Sequence, residues 1–369
     1  MVEATARKRL GFVDAARTLA MALMVQGHVC DNLLSPEGKA GWLYQHHLVL
    51  RGMTGPLFFF VSGFAFVVAS NPAWEEYGRP GRRLWARLKR VATLLAVGWF
   101  LQVPRWSGPA FSHAEWRYVF RCGVLHAIAI ALVVALVLIA ATRTRRAFTA
   151  AAFTIAVLSV VVGHLASSAP ILPEAAGLFL RTQEGSLFPA TPWMAHFLLG
   201  AVLARLHLDV PWLSSTKRLA LFVGSAGAIL LSTGRVWQAF SPVDTDNLAV
   251  WVSDPEVFLA RAGMAWCAFG AFALLLDGLQ SRAWLQAVAS HALSIYVVHL
   301  VALYGWPGMD GLVQRFGPTL GVGPTYLTGP LLFAGCALFV VALFAAVSFV
   351  QRQGRSALGR LFPAAGAPS

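Results

Sequence analysis

The chain has 369 residues, 57% hydrophobic and 12% charged, with a mean hydropathy of +0.65. That composition excludes an ordinary soluble globular domain, whose charged share is about twice as large. The formal net charge of +13 would suit nucleic acid, but the bases fall in short clusters between apolar runs and form no continuous stripe, so they read as topology signals and nucleic acid is excluded as a partner.

Apolar segments follow one another at 11–33, 53–70, 91–104, 121–141, 147–168, 188–206, 218–233, 256–277, 284–306 and 326–350. A helix of about 20 residues crosses a bilayer, so the segments predict an all-α polytopic membrane protein of about ten transmembrane helices in one bundle. The N-terminus begins basic, yet no small-residue cleavage site follows, and the first segment reads as an uncleaved span. The third is short and ends at Pro104, which predicts a tilted or broken helix. With no internal repeat, residues 1–351 read as one membrane domain and residues 352–369 as a short cytoplasmic tail.

Lys and Arg concentrate in every second connection: "ARKR", "GRPGRRLWARLKR", "TRTRR", "STKR" and "QRQGR". Positively charged loops stay in the cytoplasm, so both termini are expected there, in a multi-pass protein of a prokaryotic inner membrane. The intervening stretches, including "EGKAGWLYQHH", read as outer loops, with His46 and His47 solvated. Cys30, Cys122, Cys267 and Cys336 have no metal-ligand spacing, and no metal is expected.

Ionisable groups inside a span are expensive and mark functional sites. The first span carries Arg17 and His28 in "RTLAMALMVQGH". Eleven residues are close to three helical turns, which puts both side chains on one face about 16 Å apart. Asp14 lies a turn before Arg17, and Asp31 a turn after His28. These residues fit either a functional site within the span or a headgroup-level Asp14–Arg17 pair with His28 and Asp31 marking the outer end of the span. In the second span Ser62 and Gly63 allow close helix contact. The run Arg79, Arg82, Arg83, Arg87, Lys89 and Arg90 fits either topology determination or docking of a polyanion, since guanidinium forks pair with phosphate oxygens.

Arg17 and His28, preceded by "VDAAR" and followed in the next span by "FFFVSGF", resemble the acyltransferase 3 family. "RCGVLHAIAIALVVALVL" and "FPATPWMAHFLLGAVLARL" resemble the heparan-α-glucosaminide N-acetyltransferase catalytic domain, a relative in the same transmembrane acyltransferase superfamily. "SHALSIYVVHLVAL" resembles the Ser-Tyr-His helix of the first family. One departure is Val124-Leu125-His126-Ala127, where the acetyltransferase family reads Val-Leu-Gln-Arg.

The resemblance implies an acyltransferase that moves an acyl group, commonly acetyl, from cytoplasmic acetyl-CoA or another acyl-CoA. The acceptor would be a hydroxyl or amine of a carbohydrate or lipid-linked molecule at the outer side. By the same resemblance His28 is the catalytic histidine, either general base or transient acyl carrier, and Arg17 its partner. Asp31 is a candidate to orient His28. Arg17, Arg83, Arg87 and Arg90 are candidates for CoA. Ser62, His126, Trp193, Tyr296 and His299 are candidates for the acceptor or the cavity wall. Trp193 reads rather as an interfacial anchor, and His113, His196 and His291 as satisfied helix residues. The lipid bilayer is the remaining partner, and a homodimer is a possible assembly. A competing reading is a transporter or flippase with Arg17 and His28 in its substrate or proton path.

Overall fold

The computed structural model describes residues 10–103, 113–168, 173–182, 186–241, 252–276 and 282–361. Their helices are α1 Gly11–Leu33, α2 Pro36–Ala40, α3 Trp42–Ser70, α4 Arg82–Gln102, α5 His113–Phe120, α6 Val124–Ala141, α7 Arg145–Ser168 and α8 Glu174–Leu180. There follow α9 Ala190–Asp209, α10 Thr216–Phe240, α11 Pro255–Leu275, α12 Ala283–Ser290, α13 Ala292–Tyr304, α14 Leu312–Phe316 and α15 Val322–Leu361. No β-strand occurs among the described residues, and the protein is an all-α polytopic membrane protein.

Among the described residues six helices are long and apolar enough to cross a membrane, and a seventh span results if α12 and α13, bent by 68° at His291, count as one. The apolar segment 284–306, expected as a single span, is therefore broken. Helices α1, α4 and α9 coincide with expected spans but carry charge: Arg17 in α1, the run Arg82 to Arg90 in α4, Arg205 and Asp209 in α9. In α1 and α9 these groups sit on helices largely buried by protein, where polar side chains find partners instead of lipid.

Two other expectations are corrected. The stretch read as the outer loop "EGKAGWLYQHH" is α2 followed by the start of α3. Ser35 caps α2 by accepting from the Gly38 N–H at 3.2 Å, with Pro36 at the first helical position. His47 is consequently buried, between the Tyr44 and Tyr326 rings, whereas His46 is exposed on Trp42. The basic run is likewise no loop: from Arg82 it forms the first turns of α4.

Small residues set the closest approaches. Gly63 of α3 lies under the Phe197 carbonyl of α9, and Gly200 of α9 under the Phe60 carbonyl of α3. Antiparallel α10 and α11 meet along Gly227, Gly234, Gly263 and Gly270. Between these pairs lies a core led by Phe59, Phe60, Phe64, Phe197 and Phe269, all buried. Helix α15 leaves Leu327, Leu331, Leu338, Phe339 and Phe349 exposed, a face suited to acyl chains, and it continues through Leu361.

Arg205 ties the charged end of α9 to the end of α3. Its fully buried guanidinium engages both Asp209 oxygens, donates to Asn71 Oδ1 at 2.6 Å, and lies over the Trp74 ring at 4.9 Å. Asp209 is 32% exposed, so losing the guanidinium costs about 1–3 kcal/mol, less than for a fully buried pair. Arg205→Leu should therefore lower the thermal unfolding midpoint of the purified protein by several degrees; an unchanged midpoint would show the network to be dispensable.

Candidate functional site

Helical pitch places Arg17 and His28 on one face of α1, and the broken pair α12–α13 runs alongside in the same direction. Arg17 Nη1 donates to the Ala289 carbonyl at the end of α12, at 3.4 Å. One axial step further, His28 Nδ1 lies 3.2 Å from His299 Nε2, with the rings nearly parallel. A turn beyond, Asn32 Nδ2 donates to the His28 carbonyl at 2.8 Å and to the Tyr304 hydroxyl at 2.9 Å. Tyr304 also stands edge-on to the His28 ring.

The bonding pattern assigns the protons. The Ile295 carbonyl, 3.3 Å from His299 Nδ1, can only accept, so that nitrogen carries the hydrogen. In a neutral His299 the Nε2 atom is then the acceptor, and His28 Nδ1 must donate to it. This leaves His28 Nε2 with its lone pair available, the tautomer a general base or nucleophile requires.

Three cavities surround this axis. One of about 530 Å³, named inner for its place toward the N-terminal end of α1, is lined by Arg17, Ser62, Arg87, Arg90 and Tyr296 among others. A second, of about 340 Å³, holds His28, His126, Gln102, Tyr118, Tyr296 and Trp306. A third, of about 170 Å³, holds His28, Met24, Arg51, Trp193, Arg261 and Tyr296. Two of the arginines that line the inner cavity, Arg87 and Arg90, thus come from the first turns of α4.

The sequence-derived candidates are distributed as follows. Arg17, Arg87, Arg90 and Ser62 share the inner cavity; Arg87 donates to Ser70 Oγ at 3.2 Å, with its guanidinium over Phe66 and Tyr77. Arg83 is outside that lining and pairs with Glu76 at 2.9 Å. Ser62 lies beside the arginines and away from His28. His126 lines the second cavity and accepts the Gly123 N–H at 3.2 Å, with its ring against Gly98. Trp193 is buried in the wall of the third cavity. His196 stacks on Phe258 and His291 on Phe344, while the side chain of His113 lies outside the described residues.

Asp31 is brought to a different partner from the one expected. Its carboxylate pairs with Arg51 and accepts from Tyr44 at 3.0 Å, and Lys39 Nζ donates to its backbone oxygen at 2.7 Å. The ring partner of His28 is His299.

Sequence reasoning missed Asn32, Arg51, Tyr304 and Trp306. Asn32 carried a signal, four residues after His28 and so one turn further along the same face. Arg51 was not singled out, lying just before the apolar segment expected at 53–70. It crosses α1 at Gly27, which has no side chain to obstruct it.

Residues 9–236 match the family model described as "Heparan-alpha-glucosaminide N-acetyltransferase, catalytic". The chain belongs to this family. It is accordingly a membrane enzyme of the acetyltransferase type. The matched region contains Arg17, His28, Arg51, His126 and Trp193 and ends before α13, so the family match and the histidine pair with His299 are independent observations. No curated protein matches the chain.

Proposed function

We propose that this enzyme transfers an acyl group, acetyl in the first instance, from cytoplasmic acyl-CoA to a hydroxyl or amine of a carbohydrate or lipid-linked acceptor on the outer side of an inner membrane. The observation that carries this reading is the placement of His28. Its ring, oriented by His299, lines two cavities, while an arginine-bearing cavity lies further toward the basic end of the same helix. The reading takes α1, α4 and α9 as spans beside the apolar helices, ten in all, with both termini cytoplasmic.

In this reading the inner cavity receives the pantetheine and phosphate portion of the donor. Arg17, Arg87 and Arg90 supply positive charge with forked donors, which suits phosphate oxygens and a thioester arm. The second cavity suits the acceptor: Tyr118 and Trp306 offer aromatic surface, Trp306 stacked on Phe100 and Tyr118 beneath the Arg121 guanidinium, and Gln102 and Arg121 offer polar groups to a sugar ring. His28 Nε2 takes the proton of the acceptor O–H or N–H as that atom attacks the thioester carbonyl. The carbon–sulfur bond breaks, CoA leaves as thiolate, and the imidazolium returns the proton to it. The same lone pair would serve a two-step route through an acyl-histidine. Relationship to the acyltransferase 3 family is supported by Ser62-Gly63 and by the Tyr296 and His299 pair on one helix.

The donor assignment is tested by titrating acetyl-CoA into the purified protein. Arg17→Ala and Arg90→Ala should each weaken binding about tenfold, about 1.4 kcal/mol; unchanged binding in both would remove the inner cavity from the donor path. One feature favours the transporter reading, the 68° break between α12 and α13, since interrupted helices recur at transport sites. That reading predicts substrate flux without consumption of a thioester.

A further inference from the structure

Tyr296 lines all three cavities: the inner one with Arg17, Arg87 and Arg90, and both cavities that contain His28. Leu125 of α6 lines two of them, the inner cavity and the larger of those at His28. Tyr296 is on α13, one turn before His299, and its ring stands edge-on to the His299 ring at 5.4 Å between centroids. It lies five residues beyond the break at His291, so the helix carrying it starts at the inner cavity and ends, at Tyr304, beside His28.

We infer that Tyr296, with Leu125 opposite, is the partition between the donor and acceptor chambers, a positioning residue that admits the acyl-pantetheine arm to His28 while keeping outer water off the thioester. The inference rests on the acyltransferase reading for its chemistry and on the shared cavity wall for its place. A chain whose acceptor chamber holds an activated imidazole and shares a wall with the donor chamber faces a side reaction. Water entering from the acceptor side can attack the thioester carbonyl: its oxygen bonds to the acyl carbon, the carbon–sulfur bond breaks, and the products are a carboxylic acid and free CoA. His28 would assist water as readily as a sugar hydroxyl, so selectivity has to come from exclusion. A bulky aromatic ring at the junction supplies that exclusion, and packing against His299 holds it there.

Two measurements test this, one without any dependence on CoA. In the first, acetyl-CoA hydrolysis is followed in the absence of acceptor by release of free thiol. Tyr296→Ala should raise it at least about fivefold over the native protein, whereas Tyr296→Phe, which keeps the ring, should leave it near the native rate. Adding His28→Ala to Tyr296→Ala should abolish the increase. A merely structural role for the ring would lower stability and all turnover together, and would not raise hydrolysis.

In the second, Ser62 of the inner cavity is changed to cysteine in a chain whose four native cysteines are replaced by alanine. A membrane-impermeant maleimide is then added outside intact cells. Ser62→Cys should be protected with Tyr296 present and labelled with Tyr296→Ala. Equal labelling of the two, protected or reactive, overturns the partition whatever the enzyme's substrate. Failure of native protein to bind or turn over acetyl-CoA while the labelling difference holds would instead overturn the acyltransferase reading and leave the partition standing as a gate.

Discussion

His28→Ala should reduce acetyl transfer by about a thousandfold, as expected for removal of a positioned general base or nucleophile. Acetyl-CoA binding should stay within about twofold of native, because the charge placed to hold the donor is some three helical turns away at Arg17. This separation is the informative part. A lesion that merely loosened the bundle would weaken both, since α1 packs against α3, α13 and α15. His299→Ala should be milder, about tenfold to a hundredfold: the imidazole remains but loses the partner that fixes its tautomer and orientation. Turnover by His28→Ala at the native rate would mean that another group performs the chemistry, and the chain argument from Ile295 through His299 would lose its functional meaning.

Gly63→Leu should prevent recovery of folded, monodisperse protein. A Cβ at Gly63 would overlap the Phe197 carbonyl, and one at Gly200 the Phe60 carbonyl. These obstacles are backbone atoms within hydrogen-bonded helices, so α3 and α9 would have to separate along the contact that buries Phe59, Phe60 and Phe197. Even Gly63→Ala should cost about 2–3 kcal/mol, the upper range for overpacking. Gly335→Ala, whose new methyl would meet nothing within 4 Å, is the control and should leave the unfolding midpoint unchanged. If Gly63→Leu unfolds at the native midpoint, the close approach of α3 and α9 is incorrect.

The legible part of this protein in its sequence is governed by length and periodicity. The apolar runs mark the helices, and the eleven-residue step from Arg17 to His28 places both on the buried face that α12 and α13 cover. What the runs conceal is polarity inside the bundle. The stretch from Trp42 to His47 reads as a loop because it carries two histidines, yet α3 starts there, with Tyr44 and His47 buried while Trp42 and Leu43 stay exposed. The break at His291 left no Pro or Gly signal at that position, and only the packing of α12 against α1 and of α13 against α15 makes it visible. Asp31 shows why spacing alone misassigns partners. One turn from His28 along the helix, it is captured by Arg51, a residue of α3. His299 lies 271 residues from His28, and only the folded chain brings the two rings together.

The most direct test of the central claim is release of free CoA from radiolabelled acetyl-CoA by purified native protein, with a membrane extract as the source of acceptor and with Arg17→Ala and His28→Ala alongside. The account predicts saturable turnover with label appearing in acceptor, a raised KM for Arg17→Ala, and loss of turnover for His28→Ala with binding retained. Native protein that neither binds acetyl-CoA nor releases CoA would contradict the assignment of the inner cavity to an acyl-CoA donor and put the transporter reading in its place.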